Sequence, residues 1–197
     1  MTDILPTEIP AEYYVEDLEA RLREVYDDLP HEFKVEIVDG ELHFMSPSGE
    51  RPGNAAGSVL FSLKLYQRAN ATGRAYGDNV GYRVNIPGRG SFSPDASFYT
   101  GGQQGMGFIE AAPDFAVEVR SEWDYGPRME AKIARKRGDY FTAGTRVVWD
   151  VDLLSDSVVR VYRADRPDAP DVFRRGEVAD AEPAVPGWRF PVDELFE

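Results

Sequence analysis

The segment PDFAVEVRS, residues 113–121, places a carboxylate in the middle of what otherwise has the pattern of a buried β-strand. Phe115, Val117 and Val119 alternate along it, which predicts one face packed in a hydrophobic core. Glu118 and Arg120 fall on the opposite face. Because an isolated buried charge is costly, that face is either exposed, with its charges in cross-strand ion pairs, or borders a polar cleft.

The rest of the chain mixes strands and helices in an order that favours the α/β (α+β) class, with a mixed β-sheet flanked by helices. Residues 33–45 predict a hairpin that turns at Asp39-Gly40, and residues 54–71 predict a helix. Strand segments follow at residues 75–86 and 91–100, divided by the turn PGRG, and then come the opening strand, a helix over 126–144 and a further strand pair. We expect one globular domain at 33–197, preceded by an acidic helical extension at 1–32.

Composition narrows the classes of function. The 197 residues include no cysteine, so thiolate metal sites and a cysteine nucleophile are excluded. The formal net charge of −13 argues at first against a nucleic-acid partner, but the acidity lies at the two ends, and residues 51–149 are mildly basic. No apolar run has the length of a membrane span, and the N-terminus lacks the pattern of a secretory signal, so we expect a cytoplasmic protein with no membrane partner.

The helix over 126–144 carries a lysine within its apolar stripe. Met129, Ile133, Lys136 and Tyr140 follow the spacing of one helix face. A lysine in such a place can extend its stem along the core and keep its ammonium in water. Alternatively, it serves a polar cleft beneath the helix.

Three carboxylates also occupy positions where burial is expected: Glu36 in the first hairpin, Asp95 beside a proline, and Glu118. Taken singly, they have ordinary explanations as an exposed strand residue, a turn residue and an ion-pair partner. Together with Lys136 they suggest one shared cleft, in which a proton or a divalent cation would neutralise the carboxylates. Oxygen ligands suit Mg²⁺ or Mn²⁺, whereas the two histidines lack the spacing of a zinc site. A glycosidase using Asp95 and Glu118 is chemically possible but would not need the inward lysine.

Four segments in order, SPD at 93–95, EVRS at 118–121, KRGDYFTAG at 136–144 and VVWDVD at 147–152, are similar to motifs of the Uma-type family of endonucleases. This family belongs to the PD-(D/E)xK restriction-endonuclease-like superfamily. The resemblance covers residues 33–196. It implies a restriction-endonuclease-like core and a metal-dependent phosphodiesterase centre.

The resemblance also assigns residues. Asp95 and Glu118 match the family's metal-binding carboxylates, with the backbone carbonyl of Val119 as a further ligand of Mg²⁺ or Mn²⁺. Superfamily members usually place a lysine where this chain has Arg120, which cannot simply replace it. In this family the lysine lies on the following helix, at Lys136.

The remaining assignments concern the substrate. Glu36 matches an acidic residue that approaches the site and would assist directly or through water. Arg120, Arg128 and Lys132 are candidates for contacts with substrate phosphates. Two departures from the family pattern, Pro52 in place of a histidine and Glu122 in place of a proline, affect substrate contacts rather than metal binding.

These observations favour a Mg²⁺-dependent DNA endonuclease, and cutting two strands suggests a homodimer. A second hypothesis is a non-catalytic binding or oligomerisation module, because a net charge of −13 is unusual for a free-standing DNA-binding protein. A third is a phosphodiesterase that acts on RNA or on another phosphate ester. A metal centre that recognises phosphate does not distinguish these substrates.

Overall fold

A computed structural model describes residues 34–45, 47–102 and 105–197. The helical extension predicted for residues 1–32 lies outside these ranges. The described part contains helices α1, Glu50–Asn70, and α2, Pro127–Ala143, and a 3₁₀ helix at Val192–Phe196. Among the described residues, none of the helices has the combination of length and apolar character needed to cross a bilayer.

Twelve strands are formed by the described residues: β1 Lys34–Val38, β2 Glu41–Met45, β3 Arg74–Gly77, β4 Tyr82–Ile86, β5 Arg89–Phe92, β6 Ala96–Tyr99, β7 Phe115–Val119, β8 Val147–Val151, β9 Val159–Arg163, β10 Arg166–Phe173, β11 Val178–Asp180 and β12 Arg189–Pro191. A four-stranded sheet has the order β2-β1-β5-β4, and a six-stranded sheet has the order β10-β9-β8-β7-β6-β3. Strands β11 and β12 form a separate pair. The predicted mixed sheet is the six-stranded one, in which β7 and β8 are parallel and the other pairs are antiparallel.

The first hairpin forms as predicted. Asp39 and Gly40 both have positive φ, 53° and 79°, which is the backbone of a tight hairpin turn. The turn sets the register of β1 against β2, so that Glu36 pairs with His43. Alternate residues of β1, Lys34 and Glu36, therefore share one face of the small sheet.

The strands predicted between the two helices are divided differently in the structure. The turn PGRG contributes only Pro87 and Gly88 to the connection, because Arg89 lies in β5 and its side chain is buried. The segment SFSPDASFYT breaks into β5 and β6 around Pro94, which has no N–H to donate to a sheet. This break allows β5 to lie between β1 and β4 in a second sheet instead of extending the large one.

The large sheet is covered on both faces. On one face Phe115, Val117 and Trp149 pack in a core with Leu63 of α1 and with Trp188. On the other face Tyr140 of α2 lies in a smaller core with five further buried residues: Tyr82, Phe92, Ile109, Ala116 and Val148. Helix α2 ends at Gly144, which adopts the left-handed conformation, in agreement with the predicted end of this helix. Helix α1 begins four residues earlier than predicted, with Pro52 in its first turn, where proline is tolerated.

Candidate active site

The cleft lies where β1, the start of β6, the end of β7 and the middle of α2 come together. Asp95 is fixed to β7 at two points. Its backbone N–H donates to the carbonyl of Val117 at 3.0 Å, and its Oδ2 accepts the N–H of Val119 at 2.8 Å. The aspartate is therefore held beside the strand that carries Glu118.

Lys136 connects the carboxylates that sequence reasoning singled out. Its Nζ donates to Glu118 Oε2 at 2.8 Å and forms an ion pair with Glu36 Oε1 at 2.9 Å. One turn along α2, the hydroxyl of Tyr140 donates to Glu118 Oε1 at 2.6 Å. The lysine predicted to lie within the apolar stripe thus reaches from the helix into a cleft between the two sheets.

Glu36 is the most enclosed of these carboxylates, with 4% of its surface exposed. Its Oε1 also accepts the backbone N–H of Ser93 at 2.9 Å, and its Oε2 accepts from Arg89 at 3.0 Å. Arg89 in turn donates to Asp139 of α2 through Nε and a terminal nitrogen. This chain of ion pairs joins the small sheet to the helix.

The site also contains a second lysine, Lys34, which sequence reasoning did not identify. Lys34 Nζ donates to Asp95 Oδ1 at 2.9 Å and lies 2.8 Å from Oδ1 of Asp78. The available signal was its position two residues before Glu36, which places both side chains on one face of β1. Arg89 was missed because it lies within a strong turn motif.

The electrostatics of Glu36 and Glu118 differ, although both carboxylates bind Lys136. Burial alone would raise the pKa of Glu36, but Lys136, the Ser93 N–H and Arg89 together lower it below its usual value. Burial raises the pKa of Glu118, and the neighbouring Asp95 and Glu36 carboxylates add to this effect against the opposing influence of Lys136. Of these two glutamates, Glu118 therefore has the less compensated charge and more to gain from a further cation.

Both groups that donate to Glu118 keep their protons at neutral pH. Burial lowers the pKa of Lys136, but Glu118 and Glu36 outweigh it and raise the pKa above the usual lysine value. Burial, with the Glu118 carboxylate next, raises the pKa of Tyr140 well above that of a free phenol. The site thus presents a permanent ammonium and a neutral phenol to its central carboxylate.

Arg120 belongs to a different group of charges. It donates through Nε and a terminal nitrogen to Asp150 on β8, both at 2.7 Å, and through both terminal nitrogens to Glu130 on α2. We call Arg120, Asp150 and Glu130 the arginine cluster. Only 8% of the surface of Arg120 is exposed. The prediction that Arg120 contacts substrate phosphate does not fit this arrangement, because nearly all of its donors are bound to carboxylates.

The other two candidates for phosphate contacts, Arg128 and Lys132, are exposed on the first two turns of α2. Pro52 lies in α1 and Glu122 is exposed after β7. None of these four residues joins the ion pairs around Lys136 that the described structure contains.

The donor set fits a hard divalent cation. Asp95 and Glu118 supply carboxylate oxygens that retain lone pairs beyond their present hydrogen bonds. The N–H of Val119 points at Asp95, and in an extended strand the carbonyl of the same residue faces the same side. Within the described ranges no group of three or more His, Cys, Asp or Glu side chains is arranged to hold a metal ion. The candidate ligands are therefore two carboxylates and one backbone carbonyl. So small a set of protein ligands suits Mg²⁺, because this ion usually keeps several of its waters.

Comparison with known proteins agrees with this architecture. Residues 22–193 match the Uma2 family, which is described as a putative restriction endonuclease. The chain belongs to the Uma2 family. This confirms the family predicted from the ordered motifs.

A solved structure shares the Uma2 chain's fold. It is a putative nuclease belonging to DUF820 from Anabaena variabilis, with a TM-score of 0.66 and 19% sequence identity. The match covers 88% of this chain and 96% of the Anabaena chain. It confirms the predicted α/β class with a mixed sheet flanked by helices. No curated protein sequence matches the chain.

Proposed function

We propose that this Uma2 protein is a divalent-metal-dependent endonuclease that hydrolyses phosphodiester bonds of DNA. The observation that carries the proposal is the convergence of Glu36 and Glu118 on the ammonium of Lys136, with Asp95 fixed to the neighbouring strand. Burying carboxylates around a lysine is costly for stability. Such an arrangement therefore favours a functional role for these residues. The family description as a restriction endonuclease supports DNA as the substrate class.

Asp95, Glu118 and the Val119 carbonyl would hold Mg²⁺ or Mn²⁺. The bound ion would supply a Lewis acid for the phosphate and lower the pKa of a bound water. The residues of the chain do the positioning. An ammonium has three N–H donors, and Lys136 uses two of them on Glu118 and Glu36, so a third is available to orient the attacking water or a phosphate oxygen.

Glu36 acts through Lys136 rather than on the substrate. Its two oxygens are bound by Lys136, Arg89 and the Ser93 N–H, and its surface is almost fully enclosed. We therefore propose that Glu36 is a positioning residue that fixes the direction of the ammonium. Arg128 and Lys132 remain the proposed contacts for the phosphates beside the scissile bond.

Cleavage of supercoiled plasmid with Mg²⁺ or Mn²⁺ tests the function. The wild-type protein should nick or linearise the plasmid, and Asp95→Asn and Lys136→Met should do so far more slowly. Lys64→Met is the matched control, because Lys64 lies on α1 against the ring of Tyr76 and is not a member of the ion pairs at Asp95, Glu36 and Glu118. Full activity in Asp95→Asn or Lys136→Met would overturn the assignment, as would wild-type protein that is inactive on DNA.

A non-catalytic binding module is the second candidate, and the net charge of −13 favours it. Such a protein would keep the fold without binding divalent metal. Isothermal titration calorimetry with millimolar Mn²⁺ distinguishes the two candidates, since the endonuclease should release or absorb heat in a manner that depends on Asp95. Substituting RNA for plasmid in the same cleavage assay tests the alternative substrate.

We also propose a homodimer, because two centres related by a two-fold axis suit the cutting of two strands. Analytical ultracentrifugation of the full chain should give twice the mass of one chain. A monomeric mass at the concentration used for cleavage would contradict this proposal.

A further inference from the structure

Lys34 occupies an unusual position between two aspartates. Its ammonium lies 2.9 Å from Asp95 Oδ1 and 2.8 Å from Asp78 Oδ1, and only 10% of its side chain is exposed. Asp95 is comparably enclosed, whereas 39% of the Asp78 side chain is exposed in the connection between β3 and β4. The lysine thus joins one buried carboxylate to one that reaches solvent.

The same ammonium also interacts electrostatically with Glu118, the central carboxylate of the site. Burial lowers the pKa of Lys34, but Asp95 and then Glu118 raise it to above its usual value. Lys34 therefore lies within electrostatic reach of both carboxylates proposed to hold the divalent cation. Lys136 is held differently, since its two partners, Glu36 and Glu118, both lie inside the cleft.

We infer that Lys34 is an exchangeable counterion of the proposed metal site. Its ammonium neutralises Asp95 and shifts onto Asp78 alone when a divalent cation binds to Asp95 and Glu118. This inference rests on the proposed function, because it requires that Asp95 and Glu118 take a cation. It assigns Asp78, outside the cleft, the role of receiving the displaced lysine.

The chemistry of the two partners supports this direction of exchange. A lysine is a flexible point charge whose ammonium can move between acceptors without breaking a bidentate geometry. Asp78 already shares it and is the more solvated acceptor, so the lysine need not become an unpaired charge. Cation binding at Asp95 would then require Lys34 to give up one contact. It would not place the cation and the ammonium side by side at the same carboxylate.

Calorimetric titration of the full chain with Mn²⁺ alone tests the inference. Lys34→Met removes the competing charge and should tighten Mn²⁺ binding about tenfold or more, given the strength of charge interactions at such distances. Lys34→Arg should weaken binding, because a guanidinium can hold Asp95 through two parallel hydrogen bonds. Lys64→Met makes the same change in net charge on α1 and should leave the Kd unchanged.

A double-mutant cycle tests the role of Asp78. Asp78→Asn should weaken Mn²⁺ binding about threefold in the wild-type background, because it removes the carboxylate that receives the displaced Lys34 ammonium. The same substitution should have no effect in the Lys34→Met background. If it weakens binding equally in both backgrounds, Asp78 acts through its charge alone and its receiving role is wrong.

The outcomes separate the inference from the proposed function. If Mn²⁺ binding depends on Asp95 but Lys34→Met leaves it unchanged or weaker, the exchange is wrong and the metal site stands. If no variant and no wild-type protein binds Mn²⁺, the proposed function fails as well. Circular dichroism checks the fold of each variant, and if Lys34→Met does not fold, Lys34→Arg and Asp78→Asn decide, with unchanged binding in both contradicting the exchange.

Discussion

Two groups of ion-paired side chains meet at β7, and they are built differently. The arginine cluster crosslinks β7, β8 and α2 through four hydrogen bonds from one guanidinium. The second group, which we call the lysine cluster, consists of Lys34, Glu36, Asp95, Glu118 and Lys136. The two groups are direct neighbours, because Glu118 pairs with Asp150 in the parallel register of β7 and β8.

The difference between them indicates which group is structural. A guanidinium held by two carboxylates in planar, bidentate contacts has few donors left and no proton to give. The hydrogen bonds to Asp150 outweigh burial and raise the pKa of Arg120 further. An ammonium is a point charge that can exchange partners, and Glu118 beside it has a raised pKa. We therefore propose a structural role for the arginine cluster and a chemical role for the lysine cluster.

The largest expected effect is on catalysis. Lys136→Met should lower the rate of plasmid cleavage about a thousandfold, within the range expected for loss of a group that positions or transfers protons. Removing the ammonium also takes an ion-pair partner from Glu36 and Glu118, so the rate is compared for the folded fraction of each variant. Lys64→Met serves as the control, and an equal loss of rate in both variants would contradict the assignment.

Substitutions in the arginine cluster should instead lower the free energy of unfolding. Arg120→Met leaves Asp150 buried without its partner, which should reduce the free energy of unfolding by about 3 kcal/mol. Urea denaturation measures this loss, and cleavage by the folded fraction should fall less than about tenfold if the cluster does not take part in chemistry. Arg166→Met breaks the more exposed pair with Asp171 and should cost much less stability. A loss of cleavage in Arg120→Met equal to that in Lys136→Met would remove the distinction between the two clusters.

A pH dependence distinguishes the carboxylates within the lysine cluster. Because the folded pKa of Glu36 is lowered, its ionised form stabilises the fold above the unfolded pKa of about 4.3, and this stabilisation is lost as the pH falls through the folded pKa. Glu36→Gln should therefore reduce the free energy of unfolding by about 2 kcal/mol at pH 7 and by progressively less below pH 4. Glu122→Gln, at an exposed position, is the control. A difference between wild type and Glu36→Gln that stays constant down to pH 2 would contradict the lowered pKa.

The smallest effect is expected at Tyr140. Tyr140→Phe keeps the ring stacked on Phe92 and removes only the hydrogen bond to Glu118, so it should cost about 1 kcal/mol of stability. Thermal unfolding measures the change, with Tyr162→Phe, which retains its ring under Arg137, as the control. A loss of stability as large as that of Arg120→Met would mean that the phenol belongs to a structural network.

Three residues of the proposed site could be selected from the sequence because each breaks a local pattern. Glu118 interrupts an alternating strand, and Lys136 interrupts the apolar stripe of α2, so both could be recognised before any tertiary contact was known. Asp95 stands beside a proline that breaks the sheet. The hairpin at Asp39-Gly40 followed from turn chemistry alone.

The partners of these residues could not be predicted from local patterns. Lys34 looks like an ordinary lysine at the start of a strand, and its contacts to Asp78 and Asp95 depend on how two sheets meet. Arg89 was hidden within a turn motif. Alternation places Arg120 on the face of Glu118, but it does not reveal Asp150 on the parallel neighbouring strand. The sequence alone therefore made Arg120 a candidate for contact with the substrate.

The most direct test of the account is a crystal structure of the protein soaked with Mn²⁺, with anomalous data that locate the ion. We predict one peak in contact with the carboxylates of Asp95 and Glu118, with Lys136 still bound to Glu36. A peak beside Asp150 or Glu130, or none near Asp95 at saturating Mn²⁺, would contradict the assignment of chemistry to the lysine cluster.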